Sequence, residues 1–263
     1  MNALDLFRLD GRVAFISGAA GHLGRQMALA LGEAGAYLLL NGRNVGRLKA
    51  FANELGTAGI RAECAAFDMM DFAAVQRFFS ERSRLDILIN NAVTMAPKSF
   101  AAASPDDFDH TYRSSVTAAF EATRAARPAL ARAAKQSGNA SVINIATMYA
   151  SISPDPKLYD HPEQVSPPHY GAAKAGLLQL TRHMAAELGR DSIRVNALAP
   201  GPFPKPEVAQ NDPNFVSRLD SRTMLGRHGR AAEVRGPVLF LASPASSFVT
   251  GAVLAADGGW TAW

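Results

Sequence analysis

Tyr170 and Lys174 are two residues whose types and spacing could carry out acid–base chemistry. Side chains four residues apart lie on the same face of a helix, one turn from each other. A tyrosine normally loses its proton at about pH 10, and a nearby ammonium group favours the phenolate and so lowers the pKa of the tyrosine. The pair could therefore exchange a proton with a substrate near neutral pH. An isolated match of this kind is more often a half-buried tyrosine beside a solvated lysine. The elements around the pair therefore decide whether it is catalytic.

A glycine-rich turn near the N-terminus predicts a dinucleotide site. The apolar run Arg12–Ile16 is typical of a buried strand, and a helical pattern follows the turn. In such a strand–turn–helix unit, backbone N–H groups at the helix N-terminus point at a phosphate, and glycines let the backbone approach it closely. A tight turn that merely needs glycine is the alternative. The candidate cofactor residues in this turn are Ser17, Gly18, Gly21, His22, Leu23 and Gly24.

The end of the second strand favours NADP(H) over NAD(H). This strand, Ala36–Leu40, runs into the segment Asn41–Asn44, where a doubly wound fold meets the adenosine ribose. An acidic side chain here would accept a hydrogen bond from the ribose 2′-hydroxyl and repel a 2′-phosphate, but the segment contains none. Arg43 instead offers a cationic fork that suits a phosphate. A solvated arginine in a polar loop is the alternative.

Three further strand ends carry candidate cofactor residues. The strand Ile60–Phe67 is followed by residues that could cap the edge of the adenine ring, and the strand Leu85–Asn90 by an asparagine that could tie two strands together. A sixth strand, Ile193–Ala199, is closed by a Pro-Gly pair. The residues at these ends are Asp68 and Met69, Asn91 and Ala92, and Pro200 and Gly201.

Strands and helices alternate along the whole chain, with no linker and no internal repeat. This pattern predicts a single α/β domain over residues 1–263, with a doubly wound parallel sheet of about seven strands. A long helix with an alanine-rich face is predicted over Pro105–Arg132. Two polar, proline-rich segments, 148–168 and 202–222, are predicted to form walls of a substrate pocket, the second of them mobile.

Composition excludes several classes of protein. The formal net charge of +4 comes from scattered residues, without the basic cluster of a nucleic-acid-binding protein. The single cysteine, Cys64, rules out an intrachain disulfide and a cysteine metal cluster, and its apolar neighbours predict a buried thiol. Met1–Asp10 lacks the layout of a signal peptide, and no apolar run approaches the length of a membrane span. We expect a cytoplasmic protein.

In order along the chain, these motifs resemble those of the short-chain dehydrogenase/reductase family over nearly the full length. The resemblance implies that Tyr170 is the general acid/base, and that Lys174 lowers its pKa and holds the nicotinamide ribose hydroxyls. It places Thr147 at the family's serine, which hydrogen-bonds the substrate oxygen, and Ser115 at the asparagine that supports a water in a proton relay. The motifs that carry the resemblance are Ser17–Gly24, Asn90–Ala92, Thr147, Tyr170 with Lys174, and Pro200-Gly201.

Six positions depart from the family pattern. Four of the departures lie around the cofactor and two at catalytic positions, so the resemblance is strongest at Tyr170 and Lys174. The departures are Ser17 for threonine, His22 for the second glycine, Val93 for glycine, Ser115 for asparagine, Thr147 for serine, and Pro202-Phe203-Pro204 where a cofactor-contacting threonine is usual.

The loop from Thr147 to Tyr170 is longer than is usual in the family. Its extra residues are polar, which suits a hydroxyl-rich substrate. This insert and the ending Trp260–Trp263 resemble members that act on gluconate or sugars. The resemblance thus implies an NADP(H)-dependent oxidoreductase that interconverts a secondary alcohol and a ketone by hydride transfer, on a sugar acid or polyol. The polar residues of the insert are Asp155, Lys157, Tyr159, Asp160, His161 and Glu163.

Two alternatives stay open at this point. One is a 3-oxoacyl-thioester reductase, which would need a basic patch for an acidic carrier. The other is a catalytically weak cofactor-binding sensor or scaffold, which the departures at His22, Val93, Ser115 and Thr147 motivate. The resemblance also implies a homo-oligomer, a tetramer or a dimer. The alanine-rich face of the predicted helix Pro105–Arg132 and the tryptophan-bearing tail are candidate contact surfaces.

Overall fold

A seven-stranded parallel sheet in the order β3-β2-β1-β4-β5-β6-β7 forms the centre of the protein. The computed structural model describes residues 2–263, so only the first residue of the predicted domain lies outside it. The chain order reverses between β1 and β4, which opens a crevice at the carboxyl ends of these strands. The prediction of a doubly wound α/β fold is confirmed. The strands are β1 (Val13–Ile16), β2 (Tyr37–Gly42), β3 (Ala62–Ala66), β4 (Ile87–Asn90), β5 (Ala140–Ile145), β6 (Ile193–Pro200) and β7 (Val253–Ala256).

Helices cover both faces of the sheet, and each face has its own apolar core. Helices α1, α2 and α9 pack on one face with Met27, Phe51 and Val238, whereas α3, α5 and α6 pack on the other with Phe79 and Leu188. The helices are α1 (His22–Glu33), α2 (Val45–Thr57), α3 (Phe72–Ser80), α4 (Pro105–Tyr112), α5 (Ala118–Ser137), α6 (Pro168–Leu188), α7 (Pro206–Asn211), α8 (Pro213–Ser221) and α9 (Arg235–Ala242).

Local signals in the sequence explain several helix ends. The side chains of Asn44 and Asp71 accept hydrogen bonds from backbone N–H groups in the first turns of α2 and α3. Ser104 and Asp107 form a reciprocal capping box at the start of α4. Helix α5 ends at Gly138, whose φ of 84° lies in the left-handed region that glycine adopts without strain. These caps satisfy backbone groups that the helices themselves leave unpaired.

The predicted long helix over Pro105–Arg132 is present and extends to Ser137, but one of its turns is π-helical and its alanine-rich face is not exposed. The π-helical turn at Arg113–Thr117 joins α4 to α5, and within it the N–H of Ala118 bonds to the carbonyl of Arg113, five residues earlier. The alanine-rich face of α5 is buried in the core of its own chain. It therefore cannot be the contact surface between subunits that the sequence suggested.

The two predicted wall segments are more ordered than their composition indicated. Segment 148–168 contains three 3₁₀ turns, and segment 202–222 contains α7 and α8. Pro206 and Pro213 occupy the first positions of these two helices, where the missing N–H of proline costs nothing. Leu158 of the first segment, Leu219 of the second and Trp260 of the tail pack in one buried cluster. The two walls are therefore in contact.

Two smaller expectations concern Cys64 and membrane spans. Cys64 in β3 packs against the core but is partly exposed, so the expectation of a buried thiol is only partly met. Across residues 2–263, no helix is both long and apolar enough to cross a membrane.

Candidate active site

Two adjoining cavities lie at the carboxyl ends of the central strands. They share Gly21, Asn91 and Val93. The predicted cofactor residues line one or both of these cavities, except for Ser17; the predicted catalytic residues line the second cavity, except for Ser115. The first cavity has Gly18, Arg43, Asp68, Met69 and Ala92 in its wall, and the second has His22, Leu23, Gly24, Thr147, Tyr170, Lys174, Pro200 and Gly201.

The glycine-rich turn leaves the N-terminus of α1 open toward these cavities. Gly21 is the N-cap residue of α1 and has no side chain that could satisfy the N–H groups of the first turn. Gly18 has a φ of +65°, and a Cβ at this position would lie 2.9 Å from Nδ2 of Asn91. Only glycine fits there. Unsatisfied N–H donors beside a glycine turn fit the diphosphate of a dinucleotide.

Ser17 shapes the crevice from beneath and does not face it. Its Oγ accepts hydrogen bonds from the N–H groups of Asn91 and Ala92, at 2.9 and 3.0 Å, and donates to the carbonyl of Ile89 at 3.2 Å. Nδ2 of Asn91 donates to the carbonyl of Ser17 at 2.9 Å, so the expected tie between two strands by Asn91 is present. With all of its bonds made inside the protein and 2% of its surface exposed, Ser17 is a positioning residue.

Arg43 and Asp68 face each other across the adenosine end of the crevice. Nη1 of Arg43 lies 3.7 Å from Oδ2 of Asp68, and both side chains are well exposed. An exposed ion pair of this kind is weak, because solvent screens it. The guanidinium therefore stays available to a phosphate. Asn41 is committed elsewhere: its Nδ2 donates to the carbonyls of Ala65 and Phe67 at 2.9 and 3.1 Å.

Lys174 is a buried cation beside Tyr170 on α6. Its Nζ donates to the carbonyl of Ile145 at 2.6 Å and lies 6.0 Å from the centre of the Tyr170 ring. Burial disfavours the charged form and lowers the pKa of Lys174 to about 8. At neutral pH the ammonium is therefore still present at the bottom of the cavity.

The pKa of Tyr170 shifts in the direction opposite to the prediction. Burial raises this pKa, and an interaction with the Thr147 hydroxyl opposes the rise. Lys174 does not lower it, because its own pKa of about 8 leaves Lys174 uncharged at the higher pH where this phenol titrates. In this state of the protein the proton stays on the phenol.

Thr147 and Ser115 occupy different surroundings. Thr147 lines the cavity with Tyr170, and its Oγ1 accepts a long hydrogen bond of 3.4 Å from the N–H of Tyr149. Ser115 lies in the π-helical turn between α4 and α5 and is 4% exposed. Within the described residues its Oγ has no hydrogen-bond partner. π-Helical turns are frequent at functional sites.

Tyr159, one of the polar residues of the insert, pairs with Tyr149, and the sequence did not predict this pairing. The hydroxyls of Tyr149 and Tyr159 lie 2.9 Å apart. Burial raises the pKa of both phenols, and at Tyr149 the neighbouring Tyr159, Asp155 and Tyr170 add to the rise, in decreasing order. Both hydroxyls are therefore protonated at neutral pH. The position of Tyr149, two residues after Thr147, was the only available signal.

Phe203 lines the cavity that holds Tyr170 and Lys174. With it, the glycine turn, an open helix N-terminus, a Tyr/Lys pair and a Pro-Gly strand end converge on one crevice. A family profile described as "Enoyl-(Acyl carrier protein) reductase" matches residues 18–261. The chain belongs to the short-chain dehydrogenase/reductase family.

Individual relatives cover essentially the whole chain. Gluconate 5-dehydrogenase of Gluconobacter oxydans (strain 621H) is 33% identical over 271 residues, with 99% of each chain covered. Galactitol 2-dehydrogenase (L-tagatose-forming) of Cereibacter sphaeroides is 34% identical over 269 residues, with both chains fully covered. Among solved structures of the family, a gluconate 5-dehydrogenase from Burkholderia cenocepacia J2315 in complex with NADP and tartrate has a TM-score of 0.86 at 33% identity, with 100% of both chains covered.

Proposed function

We propose that this protein is an NADP(H)-dependent oxidoreductase that interconverts a secondary alcohol and a ketone on a sugar acid or polyol. The observation that carries the proposal is the convergence of Tyr170, Lys174 and Thr147 on one cavity beside the glycine-rich turn. The similarity to enzymes named for gluconate and galactitol supports the substrate class.

The roles of the residues follow from their chemistry. NADP(H), when bound, supplies or accepts the hydride. The protonated phenol of Tyr170 donates its proton to the oxygen of a ketone as negative charge develops there. The Thr147 hydroxyl orients this oxygen by a hydrogen bond, and the Lys174 ammonium stabilises the phenolate that remains. The buried Ser115 hydroxyl, which has no partner within the described residues, is free to bond a water of a proton relay.

We infer that the hydroxyls of Tyr149 and Tyr159 contact a polar substrate, since Tyr149 lies near Tyr170 and lines a cavity beside the insert. Two hydroxyls that bond to each other use one donor, so the second donor and several lone pairs remain free. A site built to bond substrate hydroxyls rejects analogues that lack them. The packing of Tyr159 against Phe215, with ring centres 5.3 Å apart, holds this pair in place.

Substitution of the catalytic tyrosine tests the proposed reaction. We expect Tyr170→Phe to reduce turnover of keto-sugar acids to background, because the proton donor is lost, while NADPH still binds. Nicotinamide absorbance follows turnover, and calorimetric titration follows binding. A variant that kept most of the wild-type rate would rule out Tyr170 as the acid.

Arg43 carries the proposed preference for NADP(H). Charge-assisted hydrogen bonds to a phosphate contribute about 1.5–3 kcal/mol, so we expect Arg43→Ala to weaken NADPH binding by roughly ten- to a hundredfold. NADH lacks the 2′-phosphate and serves as the internal control, with an affinity that changes little. Equal losses for both cofactors would remove the basis for the preference.

Two other functions have specific motivation. A further relative, 28% identical over 256 residues, is named 3-oxoacyl-[acyl-carrier-protein] reductase, which motivates a 3-oxoacyl-thioester reductase as the second candidate. Turnover of an oxoacyl thioester, and none of keto-sugar acids, would select it. A sensor or scaffold with little catalysis would bind NADPH tightly and turn over neither substrate.

We also propose that the protein acts as a homo-oligomer. The exposed aromatic side chains of α4 and α5, rather than the buried alanine face, supply apolar surface for contact between copies. They are Phe108, Tyr112 and Phe120, and the exposed Trp263 of the tail adds to them. Sedimentation of the intact chain distinguishes monomer, dimer and tetramer.

A further inference from the structure

His169 is a buried histidine that directly precedes Tyr170 in the first turn of α6. It is 1% exposed, and no step of the proposed reaction uses it. Its Nδ1 lies 2.9 Å from Oγ1 of Thr111 in α4, and its ring meets that of Phe108 edge-on, with ring centres 5.8 Å apart. Consecutive side chains on a helix diverge by about 100°. The His169 ring therefore lies against α4, while Tyr170 lines the active-site cavity.

The N-terminus of α6 depends on contacts with other elements to keep its first turn in place. Its N-cap residue is Pro167, whose side chain has no oxygen that could accept hydrogen bonds from the first N–H groups. Helix ends without such a cap fray readily, and Tyr170 lies within this turn. One turn later, the bond from Lys174 to the carbonyl of Ile145 holds α6 against β5. His169 supplies a corresponding bond in the first turn, to α4.

Helix α4 is fixed at both ends, so it can support this contact. Ser104 and Asp107 form the capping box at its start. Just after its end, Oγ of Ser114 donates to the carbonyl of Thr94 at 2.8 Å and accepts from the N–H of the same residue at 3.3 Å. These bonds join α4 to the segment that follows β4. The bond from His169 thus connects the first turn of α6 to a well-held part of the crevice wall.

The surroundings of His169 favour a neutral imidazole. Burial lowers its pKa; Asp107 and the backbone of Ala96 oppose this change, and Lys98 adds to it. A neutral imidazole has one donor and one acceptor nitrogen, and the Thr111 hydroxyl can pair with either. The bond to Thr111 therefore does not require a charged ring, and an uncharged amide can replace the imidazole.

We propose that His169 is a positioning residue that holds Tyr170 in place for the reaction. This inference rests on the proposed function. His169 acts through α4, by its bond to Thr111 and its contact with Phe108. A proton donor must lie within hydrogen-bond reach of the oxygen that it serves, and a displacement of about 1 Å can lower the rate by about a hundredfold. Fraying of the first turn would cause such a displacement.

Two substitutions of similar size test this role. His169→Leu removes the bond to Thr111, whereas His169→Asn keeps a polar group close to the position of Nδ1. We expect His169→Leu to lower kcat for keto-sugar acids roughly ten- to a hundredfold without a change in NADPH affinity, and His169→Asn to retain most of the rate. His183→Leu, at an exposed histidine of the same helix, is the control and should change neither quantity. Equal losses of kcat in His169→Leu and His169→Asn would contradict the role of the bond.

A second pair of variants separates positioning from stability. Thr111→Val leaves Nδ1 of His169 buried without its partner, so both stability and kcat should fall. The double variant Thr111→Val/His169→Leu removes both polar groups, and its stability should recover. Its kcat should stay low, because the bond between α4 and α6 is still absent. If kcat recovered together with stability, His169 would have only a structural role.

Hydrogen exchange followed by mass spectrometry gives a readout that needs no substrate. The peptide that contains residues 170–175 should exchange faster in His169→Leu and Thr111→Val than in the wild type and His169→Asn. Unchanged exchange in these two variants would overturn the inference, and if one of them fails to fold, the other decides. Faster exchange, in a protein whose wild type reduces no keto-sugar acid, would contradict the proposed function and still confirm that His169 holds the first turn of α6.

Discussion

Lys174 is a residue whose buried charge lowers the stability of the folded protein and also serves the proposed reaction. Lys174 is 2% exposed, its ammonium is bonded to one carbonyl, and within residues 2–263 no carboxylate pairs with it. Burial of a charge costs free energy, and the lowered pKa of about 8, against the ordinary 10.5, reflects this cost. The same buried charge is what the proposed reaction needs beside Tyr170.

Replacement of Lys174 by an apolar side chain should stabilise the protein. The pKa shift corresponds to about 3 kcal/mol, and loss of the bond to the Ile145 carbonyl costs about 1 kcal/mol. We therefore expect Lys174→Met to raise the free energy of unfolding at pH 7 by about 1–2 kcal/mol. Urea unfolding at pH 7 checks this, with the exposed Lys157→Met as control.

The lowered pKa of Lys174 also fixes the direction in which the stability of the protein changes with pH. Between about pH 8 and 10.5 the unfolded chain keeps the proton on Lys174 while the folded chain has lost it, so the stability of the wild type rises with pH in this window. The advantage of Lys174→Met should shrink through the same range. An advantage that stayed constant to pH 10.5 would show that another effect causes it.

At the scale of residues, the spacing of Tyr170 and Lys174 sufficed to predict that they share one cavity. It could not predict the direction of the Tyr170 pKa shift, because that depends on how deeply the folded chain buries both groups. Nor could it predict that the ring of Phe203 packs against Gly229. Gly229 lies on a separate segment, and only the folded chain brings the two together.

Between elements, the Ser17 hydroxyl holds the ends of β1 and β4 together. Ser17→Ala would leave the N–H groups of Asn91 and Ala92 without their acceptor at the bottom of the crevice. A buried donor that loses its partner costs about 1–3 kcal/mol, so we expect a loss of about 2 kcal/mol in the free energy of unfolding. Denaturant unfolding followed by circular dichroism measures it.

Ser17→Thr is the matched variant for this prediction, since it keeps the hydroxyl. It should lose much less stability than Ser17→Ala, and its NADPH affinity should stay near that of the wild type. If both variants were equally destabilised, the hydroxyl bonds would not be the cause.

The existence of the strands and most helices followed from hydrophobic periodicity, but two features of the elements did not. The π-helical turn at Arg113–Thr117 adds a single residue to one helical turn. The hydrophobic pattern of the sequence still indicates a helix there and does not reveal the extra residue. Helices α7 and α8 were hidden by their prolines, which suggest loops unless they fall at the first position of a helix.

For the molecule as a whole, Arg218 is the side chain that connects the two walls of the site. Its Nε donates to the carbonyl of Leu158 at 2.7 Å, and its Nη2 to Asp160 at 2.8 Å. We expect Arg218→Ala to loosen the insert, raise KM for the polar substrate several-fold and leave NADPH affinity unchanged. Steady-state kinetics and calorimetry measure these quantities.

Limited proteolysis gives an independent readout of the same contact. Trypsin cleaves after Lys157, which is exposed and precedes the residue that Arg218 holds. Cleavage there should be faster in Arg218→Ala than in Arg222→Ala, an exposed arginine at the end of α8. Equal rates in the two variants would mean that Arg218 does not restrain the insert.

At this largest scale, alternation of strands and helices was enough to predict one parallel sheet, because parallel strands need helical crossovers. The contact between the walls was not predictable. Leu158, Leu219 and Trp260 are far apart in sequence, and nothing in their local patterns marks them as neighbours.

The placement of Trp260 has an optical consequence. The chain has two tryptophans, and they lie in opposite environments: Trp260 is 4% exposed among the wall residues, and Trp263 is 70% exposed. Trp260 should emit at shorter wavelength and resist quenching by acrylamide, whereas Trp263 should be quenched readily. The native protein thus contains a fluorescent reporter of wall opening, and Trp263→Phe would isolate its signal without an added label.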